Sequence, residues 1–374
     1  MRILILRIRH WFPASAAAAA AFYSSARITT SRRLVSTDAA SVSTSARTLF
    51  GSFEMTTTAN ALIDVDCNLW HDDLKSLLHN DKPPLSILQE DAIEKANIIA
   101  ILSPSSTIQQ ANNGLELLKT WSHDKLPILT TVGVHPYHVH DSDILTNEPS
   151  KLVTYYDEMK KLVQDNPTLV CAIGECGLDG SPGFPPIPDQ IPWFQLQIQL
   201  AQELHLPLFV HERAAFDDTM ELLQHFTGKV IIHCFTGTIH ECQAYIRRGY
   251  SISVSGYICK PTDSDDDTRA CLSQHSIPLS KLMLETDAPY MGFAGCRQLY
   301  LEKNVNQQST TNTQMNSKQR KRLQQGTYPN VPSSLPMVLE QVATLMGIPK
   351  EEVAQQTTSN AMAFFGFQRQ SQKS

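Results

Sequence analysis

The sequence predicts an α/β protein of the TIM (β/α)8 barrel class, and three observations support this. Eight short apolar runs recur along the chain, amphipathic stretches with helical spacing separate them, and residues 55–374 are long enough for one such barrel. Parallel strands buried on both faces have this uninterrupted apolar character. The predicted strands are 61–65, 97–102, 128–134, 169–174, 206–211, 229–234, 250–255 and 281–286.

The stretches between the strands predict helices that pack on the sheet. Apolar residues recur at helical spacing within 150–165, 193–205 and 214–226, and again near the C-terminus within 333–346 and 349–364. Two segments depart from the alternation. The Pro- and Gly-rich segment 179–192 predicts a loop after strand 4, and the polar segment 297–330 predicts an insertion after strand 8.

Residues 1–54 differ in composition from the rest of the chain. They contain seven arginines, no lysine and two acids, and they are rich in Ser and Ala. This composition predicts an organelle transit peptide, mitochondrial in type, with a secretory signal or a disordered tail as the alternatives. Met55 could start a second, cytosolic or nuclear form. We expect residues 55–374 to form a single barrel domain.

The predicted domain is acidic. Residues 55–374 carry 24 Lys and Arg against 35 Asp and Glu, a net charge of −11, so a general affinity for nucleic acid is not expected. If the substrate is a phosphate ester, metal ions and local basic loops must attract it. The chain has no apolar run of 18 residues, so we expect no membrane partner, and we favour a monomer.

Polar side chains follow six of the predicted strands. In a barrel, the carboxyl ends of all strands face one mouth, where these side chains would converge. A single His at a strand end is more often structural, but four strands here supply two imidazoles and two carboxylates, a set suited to a metal ion. The residues concerned are Asp66, Asn68, His135, Glu175, His211, His233 and Asp287.

Several motifs around these residues resemble those of TatD-type deoxyribonucleases. GVHP, GECGLD, LPLFVHER, VIIHCFTG, ISVSGY and LMLETDAPY occur in that order, and the closing SNAMAFFGF is similar to the family's C-terminal helix. The resemblance covers about residues 60–367. It implies a TIM barrel with two divalent metal ions at its mouth. It also implies hydrolysis of DNA phosphodiesters, typically by 3′-to-5′ exonuclease action.

The resemblance also implies roles for individual residues. Glu175 would ligate or bridge the metal ions, and His211 and His233 would ligate one of them. Asp287 would bind a metal ion and take the proton from the attacking water. His135 would line the phosphate pocket and stabilise the developing charge.

The first motif departs from the family pattern, because Asp66 and Asn68 stand where the family carries H-x-H. We expect Asp66 to remain a ligand and Asn68 to support it or hold water. Exchanging imidazole for oxygen ligands favours Mg²⁺ or Mn²⁺, with Zn²⁺ still possible. Arg213, two residues after His211, is a candidate for substrate binding without an assigned role.

Two other functions remain open from the sequence. The same metal site could hydrolyse an amide or ester of a small molecule, because a fold does not decide a substrate. The altered first motif also leaves open a non-catalytic scaffold, although the other ligands are retained. A basic cluster at 318–322 would favour DNA if it lies at the mouth, and a solvated loop is its alternative.

Overall fold

The computed structural model describes residues 60–77, 95–121, 126–141, 149–261, 267–299, 321 and 325–367. Residues Met55–Ser374 form one compact unit. The predicted leader and Met55 lie outside the described residues, as does most of the predicted insertion at 297–330. Of the basic cluster at 318–322, only Lys321 is described, and it is exposed.

Eight parallel strands form the sheet and follow one another in chain order around it. The first and last strands are joined by backbone hydrogen bonds at Asp66 and Leu284, which close the sheet into a barrel. The backbone N–H of Val65 donates to the carbonyl of Leu284 (3.1 Å), and the N–H of Asp287 donates to the carbonyl of Asp66 (2.8 Å). The predicted barrel class is therefore confirmed. The strands are β1 Leu62–Asp64, β2 Ile98–Ser103, β3 Ile128–Val132, β4 Val170–Asp179, β5 Leu208–Arg213, β6 Val230–Ile232, β7 Ser251–Val254 and β8 Leu282–Leu284.

Helices lie between the strands and after the last one. Within the described residues they are α1 Asp72–Leu77, α2 Ile108–Lys119, α3 Pro149–Asp165, α4 Ile187–Leu204, α5 Phe216–Leu222, α6 Ile239–Arg247, α7 Asp267–Ser273, α8 Leu335–Met346 and α9 Lys350–Phe365. Residue types at the helix starts explain several of these bounds. Thr107 caps α2 by accepting from the N–H of Gln110, and Thr238 forms a reciprocal capping box with Glu241 at α6.

Strand β4 is longer than predicted and ends at Asp179 rather than at residue 174. It pairs with β5 as far as Asp179 and Arg213, with a register shift between Ile173 and Cys176. The two backbones approach closely, because a Cβ atom on Gly177 would lie 1.9 Å from the carbonyl oxygen of His211. Glycine therefore lets the strand continue past the motif that the sequence suggested as its end.

The predicted loop over 179–192 is wrong at both ends. Strand β4 includes Asp179, and α4 begins at Ile187 instead of 193. Proline is compatible with a first helical turn, where no N–H is needed for the helix, and Pro188 lies there. Gln190 fixes this start, because its side chain accepts from the N–H of Asp179 and donates to the Asp179 carbonyl, both at 2.8 Å.

The inward positions of the strands change from apolar to polar towards the carboxyl end. Phe209, Ile231 and Met283 belong to the apolar cluster inside the barrel. Two residues further along β5 and in the segments that follow β6 and β8 come His211, His233 and Glu285, all of them buried. Because side chains on one face of a strand recur every two residues, these polar groups form a layer above the apolar one.

Helix α9 closes the amino end of the barrel. Phe365 and Phe367 join the interior cluster with Ile63 and Phe209, and the Thr358 hydroxyl donates to the carbonyl of Ala61 (2.7 Å). With this end plugged by apolar side chains, the opposite mouth remains for a polar site. In the part of the chain that the structure describes, none of the helices combines the length and apolar character needed to cross a bilayer.

Candidate metal centre

The side chains selected from the sequence meet at the carboxyl mouth of the barrel. Asp66 follows β1, His135 follows β3 and His233 follows β6, while Glu175 and His211 lie within β4 and β5. Apart from His135, which is half-buried, these side chains are buried. Two groups of three among the described residues bring their ligand atoms within 4.8 Å of one another. They are His135, Glu175 and His211, and Asp66, Glu175 and His233.

Glu175 is common to both groups. Its Oε1 atom lies 2.7 Å from Nε2 of His233, 3.3 Å from Nε2 of His135 and 3.4 Å from Nδ1 of His211. Burial alone would raise the pKa of this carboxyl group, but the surrounding imidazoles hold it well below its ordinary value. Glu175 is therefore a carboxylate with three imidazoles around one oxygen, and it can serve two neighbouring cation sites.

His211 has the arrangement of a metal-ligating histidine. Its Nε2 lies 2.7 Å from Oδ2 of Asp179, while its Nδ1 faces Glu175. A carboxylate at Nε2 holds the ring proton there, which leaves the Nδ1 lone pair directed into the site. The backbone N–H of Ser181 donates to the other oxygen of Asp179 (2.7 Å) and fixes its orientation.

His135 has the opposite arrangement. Its Nδ1 accepts from the backbone N–H of Tyr137 (3.2 Å), so the proton of the neutral ring is on Nε2, the nitrogen that faces Glu175. Burial, with the neighbouring imidazoles, lowers the pKa of His135 to about 3 even though Glu175 acts to raise it. This geometry favours a neutral ring that donates from Nε2 over one that ligates a cation.

His233 lies between two carboxylates. Its Nδ1 is 3.0 Å from Oδ2 of Asp66, and its Nε2 is 2.7 Å from Glu175. Burial acts to lower the pKa of His233, but these carboxylates raise it well above its ordinary value. The ring of Phe209 stacks on the imidazole (centroids 4.8 Å apart, 24° between planes) and fixes its orientation.

Several buried polar atoms of the second group make short contacts with one another or with Glu175 that do not have hydrogen-bond geometry. They are Oδ2 of Asp66 and both ring nitrogens of His233, joined by Oε1 of Glu285 beneath them. A buried polar atom without a hydrogen bond is costly, and a bound cation would satisfy carboxylate oxygens and an imidazole nitrogen together. The donor set and these atoms therefore fit a divalent metal ion.

The first motif is built around Asp66. Asn68 donates from Nδ2 to Oδ1 of Asp66 (3.3 Å), which leaves Oδ2 directed at His233. Burial, together with the charge of Asp287 nearby, raises the pKa of Asp66 well above its ordinary value. A bound cation would stabilise the ionised form. Asn68 therefore orients the carboxylate of Asp66 towards His233.

Asp287 and Arg213 are outside the two groups of three. Burial raises the pKa of Asp287 to about 7, and the charges of Glu285 and Glu175 add to the rise. Arg213 donates from Nη2 to the carbonyl of Cys234 (3.2 Å), with Asp287 and Asp179 among its charged neighbours. The ligand role of Asp287 and the substrate-binding role of Arg213 stay predictions.

The sequence reasoning did not single out three buried acids that support the site. Asp179 holds His211. Asp64 accepts from the N–H and the hydroxyl of Thr286 (2.9 and 2.6 Å), and Glu285 accepts from the hydroxyl of Ser253 (2.6 Å). Asp179 could have been found from its spacing, because it lies four residues after Glu175 and so on the same face of a strand.

Comparison with known proteins gives consistent matches over the barrel. A family model described as TatD related DNase matches residues 63–366. The chain is 29% identical over 277 residues to the 3′-5′ ssDNA/RNA exonuclease TatD of Salmonella typhimurium, which covers 72% of this chain and 88% of that protein. A protein of the same name from Erwinia amylovora is 31% identical over 243 residues, 63% of this chain and 78% of that one.

Solved structures show the same fold. A hydrolase TatD family protein from Entamoeba histolytica superposes with a TM-score of 0.62 at 22% identity, over 83% of this chain and 99% of that one. The TatD homologue YJJV from Escherichia coli gives 0.61 at 22% identity, over 83% and 100%. At this level of identity the likeness concerns the fold.

Proposed function

The chain belongs to the TatD-related DNase family, and we propose that it is a metal-dependent nuclease that removes nucleotides from the 3′ end of single-stranded DNA or RNA. The observation that carries the proposal is the position of Glu175, a buried carboxylate shared by two groups of three potential ligands at the barrel mouth. The relatives named as 3′-5′ ssDNA/RNA exonucleases supply the substrate class and the polarity.

We assign two divalent ions to this site, with Glu175 as the shared ligand. His211 would hold one ion through Nδ1, and His233 and Asp66 would hold the other, with Asp287 beside them. Divalent ions lower the pKa of bound water and neutralise charge on a phosphate group. The carboxylate of Asp66 makes its side of the site rich in oxygen, which favours Mg²⁺ or Mn²⁺ over Zn²⁺.

The chain's own residues supply proton transfer and hydrogen bonds. Asp287 is buried at the mouth, where burial and the charges of Glu285 and Glu175 act to raise its pKa, and its carboxylate would accept the proton of an attacking water. His135 presents the Nε2 proton of a neutral ring, which can bind a non-bridging oxygen of the phosphate. His211 is held by Asp179 in the tautomer that a ligand needs.

The test compares the full chain with Glu175→Gln on single-stranded DNA labelled at its 5′ or 3′ end, in Mg²⁺, Mn²⁺, Zn²⁺ or EDTA. We expect the 5′-labelled strand to shorten stepwise and the 3′-labelled strand to release mononucleotide at once. The activity of Glu175→Gln should fall by more than the roughly 100-fold loss that is typical when a residue supporting a metal ligand is removed. Single-stranded RNA, duplex DNA and p-nitrophenyl acetate complete the substrate panel.

Glu116→Gln is the matched control, because Glu116 is exposed on α2 and pairs with Lys119 on the same helix. It should keep wild-type activity. Undiminished hydrolysis by Glu175→Gln would identify a contaminating nuclease and contradict the proposed site. Turnover of the acyl ester without any turnover of nucleic acid would replace the proposal by its small-molecule alternative.

A further inference from the structure

Exposed aromatic side chains occur at the barrel mouth. Among the described residues, the large apolar side chains that are exposed are Leu117, Tyr137, Val153 and Tyr290. Leu117 and Val153 lie on the outer helices α2 and α3. Tyr137 follows the candidate site residue His135 by two positions, and Tyr290 follows Asp287 by three. Two of the four therefore border the candidate metal centre.

Tyr137 is connected to the site by aromatic contacts. Its ring meets the ring of Phe184 edge to face (centroids 5.4 Å apart, 79° between planes), and Phe184 stacks on the imidazole of His211 (6.1 Å, 21°). Its backbone N–H donates to His135. The ring is 53% exposed, so Phe184 supports it while leaving aromatic surface open to solvent.

The two tyrosines at the mouth differ in how much of each residue is exposed. Tyr290 packs edge-on against His71 (5.3 Å, 80°) and is 42% exposed. Tyr137 is more open, and its contacts lead to both His135 and His211. A flat apolar group bound beside the metal centre would cover the ring, and a nucleobase is such a group.

Because the domain is acidic, stacking on Tyr137 would contribute binding that its net charge cannot. Residues 55–374 carry a net charge of −11, so attraction of phosphates over the whole surface cannot hold a polyanion. Stacking of bases on aromatic rings does not depend on net charge and accepts any base. It requires an unpaired base, because the faces of a paired base within a duplex are covered by its neighbours.

We propose that Tyr137, supported by Phe184, is a stacking platform for an unpaired nucleobase at the 3′ end of the strand. This inference rests on the proposed nuclease function and adds a residue that selects the substrate. The platform positions the terminal nucleotides while the phosphate lies at the metal centre, and it gives the site its preference for single strands.

The test uses Tyr137→Leu, which keeps apolar bulk but removes the ring, and Tyr137→Phe, which keeps the ring. Each variant is assayed on a single strand with normal 3′ nucleotides and on one whose last two nucleotides are abasic. Wild type should prefer the normal end by roughly 5- to 100-fold in kcat/KM, the range expected for stacking of one base. The loss on abasic ends should lie mainly in KM.

In Tyr137→Leu, the ratio of kcat/KM on normal ends to that on abasic ends should fall to about 2-fold or less, while Tyr137→Phe should retain the wild-type ratio. Leu117→Ala removes a similarly exposed apolar side chain elsewhere and should also retain it. An equal loss on normal and abasic ends in Tyr137→Leu would show that the tyrosine has only a structural role, and would overturn the platform. An unchanged preference in that variant would overturn it as well.

A binding measurement separates this inference from the proposed function. A strand with 2-aminopurine at its 3′ end is titrated with the protein in Ca²⁺, and quenching of its fluorescence reports stacking. Quenching by wild type and Tyr137→Phe, but not by Tyr137→Leu, supports the platform even if no substrate is hydrolysed. Hydrolysis of single strands without any quenching that depends on Tyr137 would leave the proposed function intact and refute the platform.

Discussion

The contact between Asp179 and His211 gives the most specific prediction for the metal centre. Asp179 uses one oxygen for the N–H of Ser181 (2.7 Å) and the other for Nε2 of His211 (2.7 Å). In Asp179→Asn, one side-chain oxygen has to serve both donors. If the asparagine oxygen keeps the hydrogen bond from the Ser181 N–H, the new amide N–H groups face Nε2 of His211. They then force the ring proton onto Nδ1, the nitrogen proposed to bind the metal ion.

The expected cost follows from that change of tautomer. Loss of an outer partner of a metal-ligating histidine lowers metal affinity or activity by about 10- to 100-fold, or about 1.4–2.7 kcal/mol. Asp179→Ala removes the carboxylate without adding a donor, so its loss should be the smaller of the two. Most of the loss should be recovered at high metal concentration, because the remaining ligands are unchanged.

The assay is a metal titration of hydrolysis, combined with metal content after dialysis and with urea unfolding of the metal-free protein. Asp189→Asn is the matched control, because Asp189 forms an exposed pair with His140 (3.0 Å) and its side chain has no contact with His211 among those described. It should titrate like wild type. A metal dependence of Asp179→Asn equal to that of Asp189→Asn would refute the assignment of His211 as a ligand held by Asp179.

Four further predictions concern the fold, the ligands and the leader. Glu203→Gln should lower the free energy of unfolding by less than about 1 kcal/mol. Hydrogen bonds from Lys160 and Tyr156 hold the pKa of Glu203 below its ordinary 4.5. The difference in unfolding free energy between wild type and variant should therefore be complete above pH 4.5 and disappear as the pH falls further, as urea unfolding can measure. Phe365→Ala should lower the unfolding free energy by about 3–5 kcal/mol by opening a cavity inside the barrel. Replacing Asp66 and Asn68 together by His should move the activity ranking of metals towards Zn²⁺, and an unchanged ranking would count against Asp66 as a ligand. Residues 1–54 fused to a fluorescent protein should carry it into mitochondria, and diffuse fluorescence would contradict the transit-peptide prediction.

Much of the architecture could be predicted from the sequence because the barrel depends on local patterns. Each of the eight apolar runs corresponds to a strand, and the segments after the strands carry the polar residues of the site. The bounds around β4 could not be predicted. They depend on the close approach of Gly177 to His211 and on a helical turn that tolerates Pro188, both consequences of packing between elements.

The arrangement within the site also goes beyond what the sequence carries. His211 and His233 were expected to share a metal ion, and this stays a prediction. In the structure both approach the same oxygen of Glu175, His211 through Nδ1 and His233 through Nε2. Nothing in the chain order of two histidines indicates which nitrogen is protonated. The Asp179 carboxylate and the Tyr137 N–H decide this in three dimensions. Both rings carry the proton on Nε2, but this nitrogen faces away from Glu175 in His211 and towards it in His135.

The carboxylate of Asp66, at the position where the family motif is expected to carry an imidazole, adds to the negative charge of the mouth. Asp66 and Glu175 flank His233, and Asp287, Asp179 and Glu285 are buried close by. Buried carboxylates at this density repel one another, and this repulsion acts with burial to raise the pKa of Asp66 and Asp287, while His233 acts to lower both. A divalent cation offsets repulsion among carboxylates more effectively than a neutral ring does, so each added carboxylate strengthens the attraction for a hard ion. The altered first motif is therefore compatible with a metal site, and the preference for Mg²⁺ or Mn²⁺ stays a prediction.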